Sequence, residues 1–199
     1  TAAKFFRKVN VIIGRSRDVI LLGGGKISFY LAQRLIKSGT NVKIIEKNPI
    51  RCKELAELLP EAVIINGDCM DQDLLLSEGI DHADGVAALM DFDEENILIS
   101  LYIKGVSKAK IITKVNNTSF DNIVEQLNLE CVINPKNISG EYIASYIRAM
   151  QNSLGSNVET LYRLNEDRVE ALEFNAKNSS KLVGIPISKL NLKDNLQII

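Results

Sequence analysis

Asp18-Val-Ile-Leu-Leu-Gly23-Gly-Gly-Lys-Ile-Ser28 is the stretch whose reading decides the fold. A short apolar run ends in glycines. Ile27, Leu31, Leu35 and Ile36 then recur at helical spacing until Ser38-Gly39. An unbroken apolar run of this length reads as a strand buried on both faces. The helical spacing behind it makes the glycines a strand-to-helix turn, and such a turn suits phosphate. Gly23 permits a tight bend. Gly25 has no Cβ, so backbone can approach a pyrophosphate closely. The helix beyond aims free N–H groups and its positive dipole end at the same place. Ser28 stands where a G-x-G-x-x-G pattern has its third glycine, and serine is small enough to keep helix close to strand.

The alternation continues outward. Residues 42–45, 62–65, 85–89, 110–115 and 131–133 read as further strands. Helices are expected after Pro49, over 71–78, over 93–104 with Asp93 as N-cap, and over 120–127. Strands alternating with helices predict an α/β fold. It is a Rossmann-like doubly wound parallel sheet with helices on both faces. Residues 137–151 carry a wide apolar stripe that packs either in the core or on a partner chain. The expected division is a linker or the end of a preceding domain at 1–17, a nucleotide-binding domain at 18–152, and a small partial α+β unit at 156–199. That last unit reads as a hairpin, 158–164 and 169–175, turning at Asn165-Glu-Asp167, with a turn into a short helix at 184–190. The chain begins at Thr1, so its ends are not taken as natural termini.

Candidate ligand contacts lie at the C-terminal ends of the strands, where open α/β sheets bind ligands. Gly23, Gly24, Gly25, Lys26 and Ile27 form the phosphate loop. Glu46 ends the second strand, where a carboxylate accepts the hydroxyls of an adenosine ribose and repels a 2′-phosphate. That favours NAD(H) over NADP; the alternative is a solvated strand-end glutamate. Asp68, followed by Cys69, reads as a contact to ribose or the adenine side, or as a turn aspartate. Met90 and Asp91 would line the pocket over the glycine loop. Lys114 reads as a phosphate contact or as a solvated lysine.

Other chemistries find little support. Lys and Arg total 24 against 25 Asp and Glu, and no basic patch points to nucleic acid. The apolar runs are too short to span a bilayer. Cys52, Cys69 and Cys131 are far apart, with no CxxC pair, which fits three thiols in a reducing cytosol. Gly25-Lys26 is not a P-loop, since Ile27 replaces Ser/Thr. No G-x-S-x-G or H-E-x-x-H occurs, and the one histidine, His82, precedes the fourth strand. An NAD-dependent oxidoreductase lacking its substrate domain is the alternative reading.

Val19-Ile-Leu-Leu-Gly-Gly-Gly-Lys-Ile-Ser28, Ile44-Ile-Glu-Lys47, Arg51-Cys-Lys-Glu-Leu-Ala56, Ile65-Asn-Gly-Asp68 and Asp93-Glu-Glu-Asn96, in this order and spacing, resemble the KTN (RCK) domains of the TrkA family. The resemblance covers about residues 18–150. It implies a non-enzymatic, cytoplasmic regulatory subunit of potassium uptake. It also implies NAD(H) or ATP/ADP as ligand, a membrane-embedded potassium transporter or channel as partner, and a homo-oligomer that builds a ring. The tail from about 156 resembles the start of that family's C-terminal RCK domain. Residue by residue, it implies a phosphate loop at 23–27, Glu46 on ribose, Met90 and Asp91 at strand four, and Lys114 at strand five. The chain departs from the family where Thr-Asn is common at 90–91 and Arg at 114. Lysine lacks the bidentate fork of arginine.

Overall fold

The structure is a computed structural model that describes residues 17–129, 131–153, 158–164, 169–174 and 184–186. The chain divides into two compact units, Thr1–Lys136 and Asn137–Ile199.

The first unit holds a six-stranded parallel sheet in the order β3-β2-β1-β4-β5-β6. Its strands are β1 (Asp18–Leu22), β2 (Asn41–Glu46), β3 (Val63–Asn66), β4 (Gly85–Ala88), β5 (Lys110–Lys114) and β6 (Cys131–Ile133). The helices between them are α1 (Lys26–Lys37), α2 (Pro49–Leu58), α3 (Gln72–Ser77), α4 (Asp93–Val106) and α5 (Asp121–Gln126), the last preceded by a 3-10 turn at Thr118–Phe120. The strand order is that of a doubly wound dinucleotide-type sheet, with its switch point between β1 and β4.

Two apolar layers cover the sheet. Leu21, Val42, Ile44 and Ala87 pack with Ala32 of α1 and Leu55 of α2. Ile20, Leu22, Ile45, Val86 and Ala88 pack on the other face with Leu75 of α3 and with Ile99 and Ile103 of α4. Neighbouring strand residues thus feed opposite layers, and both are apolar because both faces are covered. That is why the strands read as continuous apolar runs.

The helix ends follow local chemistry. Asn48 caps α2, its Oδ1 accepting from the N–H groups of Ile50 (2.9 Å) and Arg51 (3.3 Å), and Pro49 begins that helix. Asp71 caps α3 through the N–H groups of Asp73 and Leu74. The expected Asp93 cap is corrected. The N-cap of α4 is Phe92, which makes no side-chain cap bond. The Asp93 carboxylate accepts instead from the backbone N–H groups of Asn116 and Asn117, both at 2.9 Å. Loop donors beyond β5 compete successfully for it, and no spacing rule along one helix reveals them. At the opposite end of the sheet, Asp84 accepts from the N–H groups of Arg17 and Asp18, and these bonds hold its carboxyl below the usual aspartate range.

The second unit contains most of α6 (Pro135–Ser153). It also contains an antiparallel pair, β7 (Val158–Leu164) and β8 (Val169–Phe174). The hairpin reading holds for both strands. Its turn at 165–167, the lead-in at 1–16 and the helix expected after residue 186 lie outside the described residues. On α6, Ile138, Tyr142, Ile143, Tyr146 and Ile147 are exposed in the chain considered alone.

Leu21 is fully buried between β2 and β4. Leu21→Ala is expected to cost about 2–5 kcal/mol, read as a lower denaturant midpoint at unchanged slope.

Candidate functional site

The switch point opens into a cleft of about 270 Å³ at the C-terminal ends of β1, β2, β3 and β4. Gly23, Gly24, Gly25, Glu46, Asp68, Cys69, Met90 and Asp91 all line it. Lys26, Ile27 and Lys114 do not. Lys26 and Ile27 are exposed in the first turn of α1. Lys114 is buried, and its Nζ lies 3.4 Å from the Leu89 carbonyl.

The three glycines have three different reasons. Gly23 sits at φ +94°, and a Cβ there would stand 3.1 Å from the backbone of Met90. Its N–H continues the sheet to the Ile45 carbonyl at 2.8 Å. A Cβ on Gly24 would meet Leu55 Cδ1 at 2.7 Å and Glu46 Oε2 at 2.9 Å. A Cβ on Gly25 would meet nothing within 4 Å. So Gly23 and Gly24 serve packing, and Gly25 leaves open space at the start of α1. That helix has no acid in its first turn and no side-chain cap bond, so its orphan N–H groups start beside this space without a side-chain partner at the cap. The geometry fits a phosphate. Ser28, fully buried, donates its hydroxyl to the Gly23 carbonyl and ties the helix back to the turn.

Glu46 joins two walls of the cleft. Its Oε2 accepts from Gly24 N–H at 2.6 Å and its Oε1 from Asn48 N–H at 2.7 Å. The carboxylate is therefore oriented, and it lies at the strand end where a ribose would be recognised. Asp68 lines the cleft and also accepts from Met70 N–H at 2.9 Å, so a turn aspartate and a cleft residue are one and the same. Cys69 donates its thiol to the Ile45 carbonyl at 3.3 Å. Burial pushes this thiol up to about 12, so it forms an apolar wall. Burial also raises the Cys52 thiol.

Sequence reasoning passed over several contributors, Asn48, Arg51, Phe92, Glu95 and Asn96 among them. Arg51, within the first turn of α2, donates Nε to the Gly24 carbonyl at 2.8 Å and Nη1 to Glu54 at 2.8 Å. The two peptide groups that flank the Gly24 Cα are thus both held, one through its N–H by an acid and the next through its carbonyl by a base. Phe92 and Glu95 line the wall beyond Asp91. Asn96 is fully buried behind them. It accepts from Met90 N–H at 2.9 Å and donates to the carbonyls of Met90 at 2.9 Å and Lys114 at 3.1 Å. The Asn48-Pro49 pair was a readable signal for the Asn48 cap. The Arg51 and Asn96 contacts span 27 and 18 residues and had no local signal.

Residues 19–135 match the TrkA-N domain model. The chain belongs to the TrkA-N domain family. It is 32% identical over 173 residues to Trk system potassium uptake protein TrkA homolog 2 of Methanosarcina mazei, covering 86% of this chain and 37% of that relative. It is 30% identical over 176 residues to Trk system potassium uptake protein TrkA of Haemophilus influenzae, covering 88% of this chain and 38% of the relative. The chain thus spans about two-fifths of the length of these curated relatives. The fold is shared with the TrkA-N domain of inner membrane protein ybaL from Escherichia coli (TM-score 0.60, 14% identity, 68% of this chain and 99% of the other). It is shared also with the GsuK channel bound to NAD (TM-score 0.61, 15% identity, 83% of this chain and 29% of the other). Among the described residues, no helix of this family member is long and apolar enough to cross a membrane, and no cluster of His, Cys, Asp and Glu could hold a metal ion.

Thiol labelling checks the wall assignment. At pH 8 exposed Cys131 is expected to react fast, while Cys69 reacts only on unfolding. The folded Cys69 thiol titrates above its ordinary value of 9.0. Its contribution to stability is therefore complete below pH 9.0 and is lost as pH rises toward about 12. In Cys69→Ala the alkaline fall in melting temperature should be smaller.

Proposed function

We propose that this chain is the nucleotide-binding part of a regulatory subunit that gates a membrane-embedded potassium transporter or channel, holding an adenine nucleotide without turning it over. The carrying observation is the open space at Gly25 before an acid-free helix start, with the oriented Glu46 carboxylate across the cleft. Phosphate belongs at Gly25 and α1, and adenosine ribose at Glu46. Asp68, Met90 and Asp91 complete the pocket. Lys26 and Lys114 act on the ligand as nearby charge rather than through contact.

Membership of the TrkA-N family supports the reading, as do the names of potassium uptake relatives. The solved structures named as bound to NAD, ADP and AMP favour NAD(H) or ATP/ADP as the ligand class. The cleft volume lies just under the roughly 300–1,000 Å³ typical of sites for drug-sized ligands. It suits the adenosine phosphate part that all these ligands share. Regulation then works by population shift. The nucleotide binds one conformation of a homo-oligomeric ring better and biases the gate by that difference. The subunit acts on the cytoplasmic side of its partner, and residues 156–199 begin a C-terminal RCK domain.

Ligand binding without turnover is tested by thermal shift with ADP and NADH, while absorbance of the NADH is followed over hours. Wild type should gain melting temperature with constant absorbance. Gly25→Asp puts a carboxylate into the phosphate space at an ordinary φ of −66°. It is expected to abolish the ligand shift while costing about 0.5 kcal/mol or less. Gly24→Ala should unfold more easily even without ligand. An undiminished shift in both Gly25→Asp and Glu46→Ala would overturn the pocket assignment.

A further inference from the structure

Two helix starts face the cleft, and they carry opposite charge. The first turn of α1 has no acid. The first turn of α4 has three, Asp93, Glu94 and Glu95. A bare helix N-terminus attracts anions, and acids in its first turn cancel that attraction. Asp93 is turned away to the loop after β5. Glu95 lines the cleft together with Asp91 and Phe92. Lys114, the cation that ends β5, is not a lining residue and holds its ammonium at the Leu89 carbonyl.

A pyrophosphate seated at Gly25, with its adenosine ribose at Glu46, sends its other half toward this second wall. The wall carries two acidic residues, Asp91 and Glu95, and Phe92, a residue 59% exposed. A third phosphate there meets like charge and an apolar ring. A flat cationic ring meets opposite charge and an aromatic face, both attractive.

We infer that the Asp91-Phe92-Glu95 wall makes this cleft select a dinucleotide whose distal ring is cationic, so that it prefers NAD+ to NADH and to ATP. The inference rests on the nucleotide reading and deepens it. The ring charge is the main difference between the two NAD forms, so the wall reads the redox state directly. A single carboxylate about 7 Å from the ring, in water-like dielectric, is worth about threefold in affinity. Two give at most about tenfold before salt screens them. Phe92 stacks on either ring form and contributes to both.

Calorimetric titration of the full protein with NAD+, NADH, ADP and ATP at low and high salt tests this. NAD+ is expected to bind about three- to tenfold tighter than NADH, with the ratio shrinking at high salt. Asp91→Asn with Glu95→Gln should bring that ratio near one, chiefly by weakening NAD+, and should leave ADP unchanged or bound more tightly. Phe92→Ala should weaken both dinucleotides and spare ADP. ADP binding accompanied by NADH at least as tight as NAD+ overturns the charge inference alone. Failure of ADP and both dinucleotides to bind overturns the nucleotide reading, and this inference with it. Should either variant lose stability, the wild-type NAD+ to NADH ratio and its salt dependence still decide the question.

Discussion

β1 leaves no room for a side chain at Gly23 and Gly24, where it begins to turn toward α1, and the site depends on that constraint. The backbone of Gly23 is pressed against Met90 at the end of β4, close enough that a Cβ would stand 3.1 Å away. The approach is possible because β1 and β4 are hydrogen-bonded neighbours at the switch point of the sheet. It is held by the Ser28 hydroxyl on one side and by Asn96, bound to both polar groups of Met90, on the other. Relaxing it would separate the glycine turn from the β4 loop, and the cleft lies between them.

Around this contact buried and half-buried polar groups act to hold position. Glu46 accepts from the Gly24 N–H and Arg51 donates to the Gly24 carbonyl, so the peptide groups on both sides of that Cα are held. Asp93 fastens the start of α4 to the loop after β5. No buried side-chain nitrogen or oxygen among the described residues lacks a hydrogen-bond partner. A satisfied polar frame of this kind keeps a site in one shape before ligand arrives, which lowers the entropy that binding must overcome.

Much of this was legible in the chain. Both sheet faces are covered by helices, so each strand was a plain apolar run and could be placed within a residue or two. The glycine turn, Glu46, Asp68 and the Met90-Asp91 pair sit at strand ends, and their places in the cleft follow from strand order. The harder cases are those where one residue has two bidders. Asp93 stands where a helix cap would stand, but donors after β5 take it. Lys114 ends a strand at the cleft side, yet the Leu89 carbonyl draws its ammonium inward. Arg51 reads as a surface helix residue and proves to hold the glycine loop.

The sequence by itself determined the alternation of strands and helices, the glycine turn and the acid at the end of the second strand. Each is a local matter of periodicity, backbone freedom and spacing along one element. Tertiary structure alone decided which glycine faces open space in the cleft and which two serve packing, because that depends on what stands opposite each Cα. It also decided that Asp91, Phe92 and Glu95 share a wall across from the bare start of α1. Charge acts through space, and only the folded sheet brings those two helix ends to one cleft.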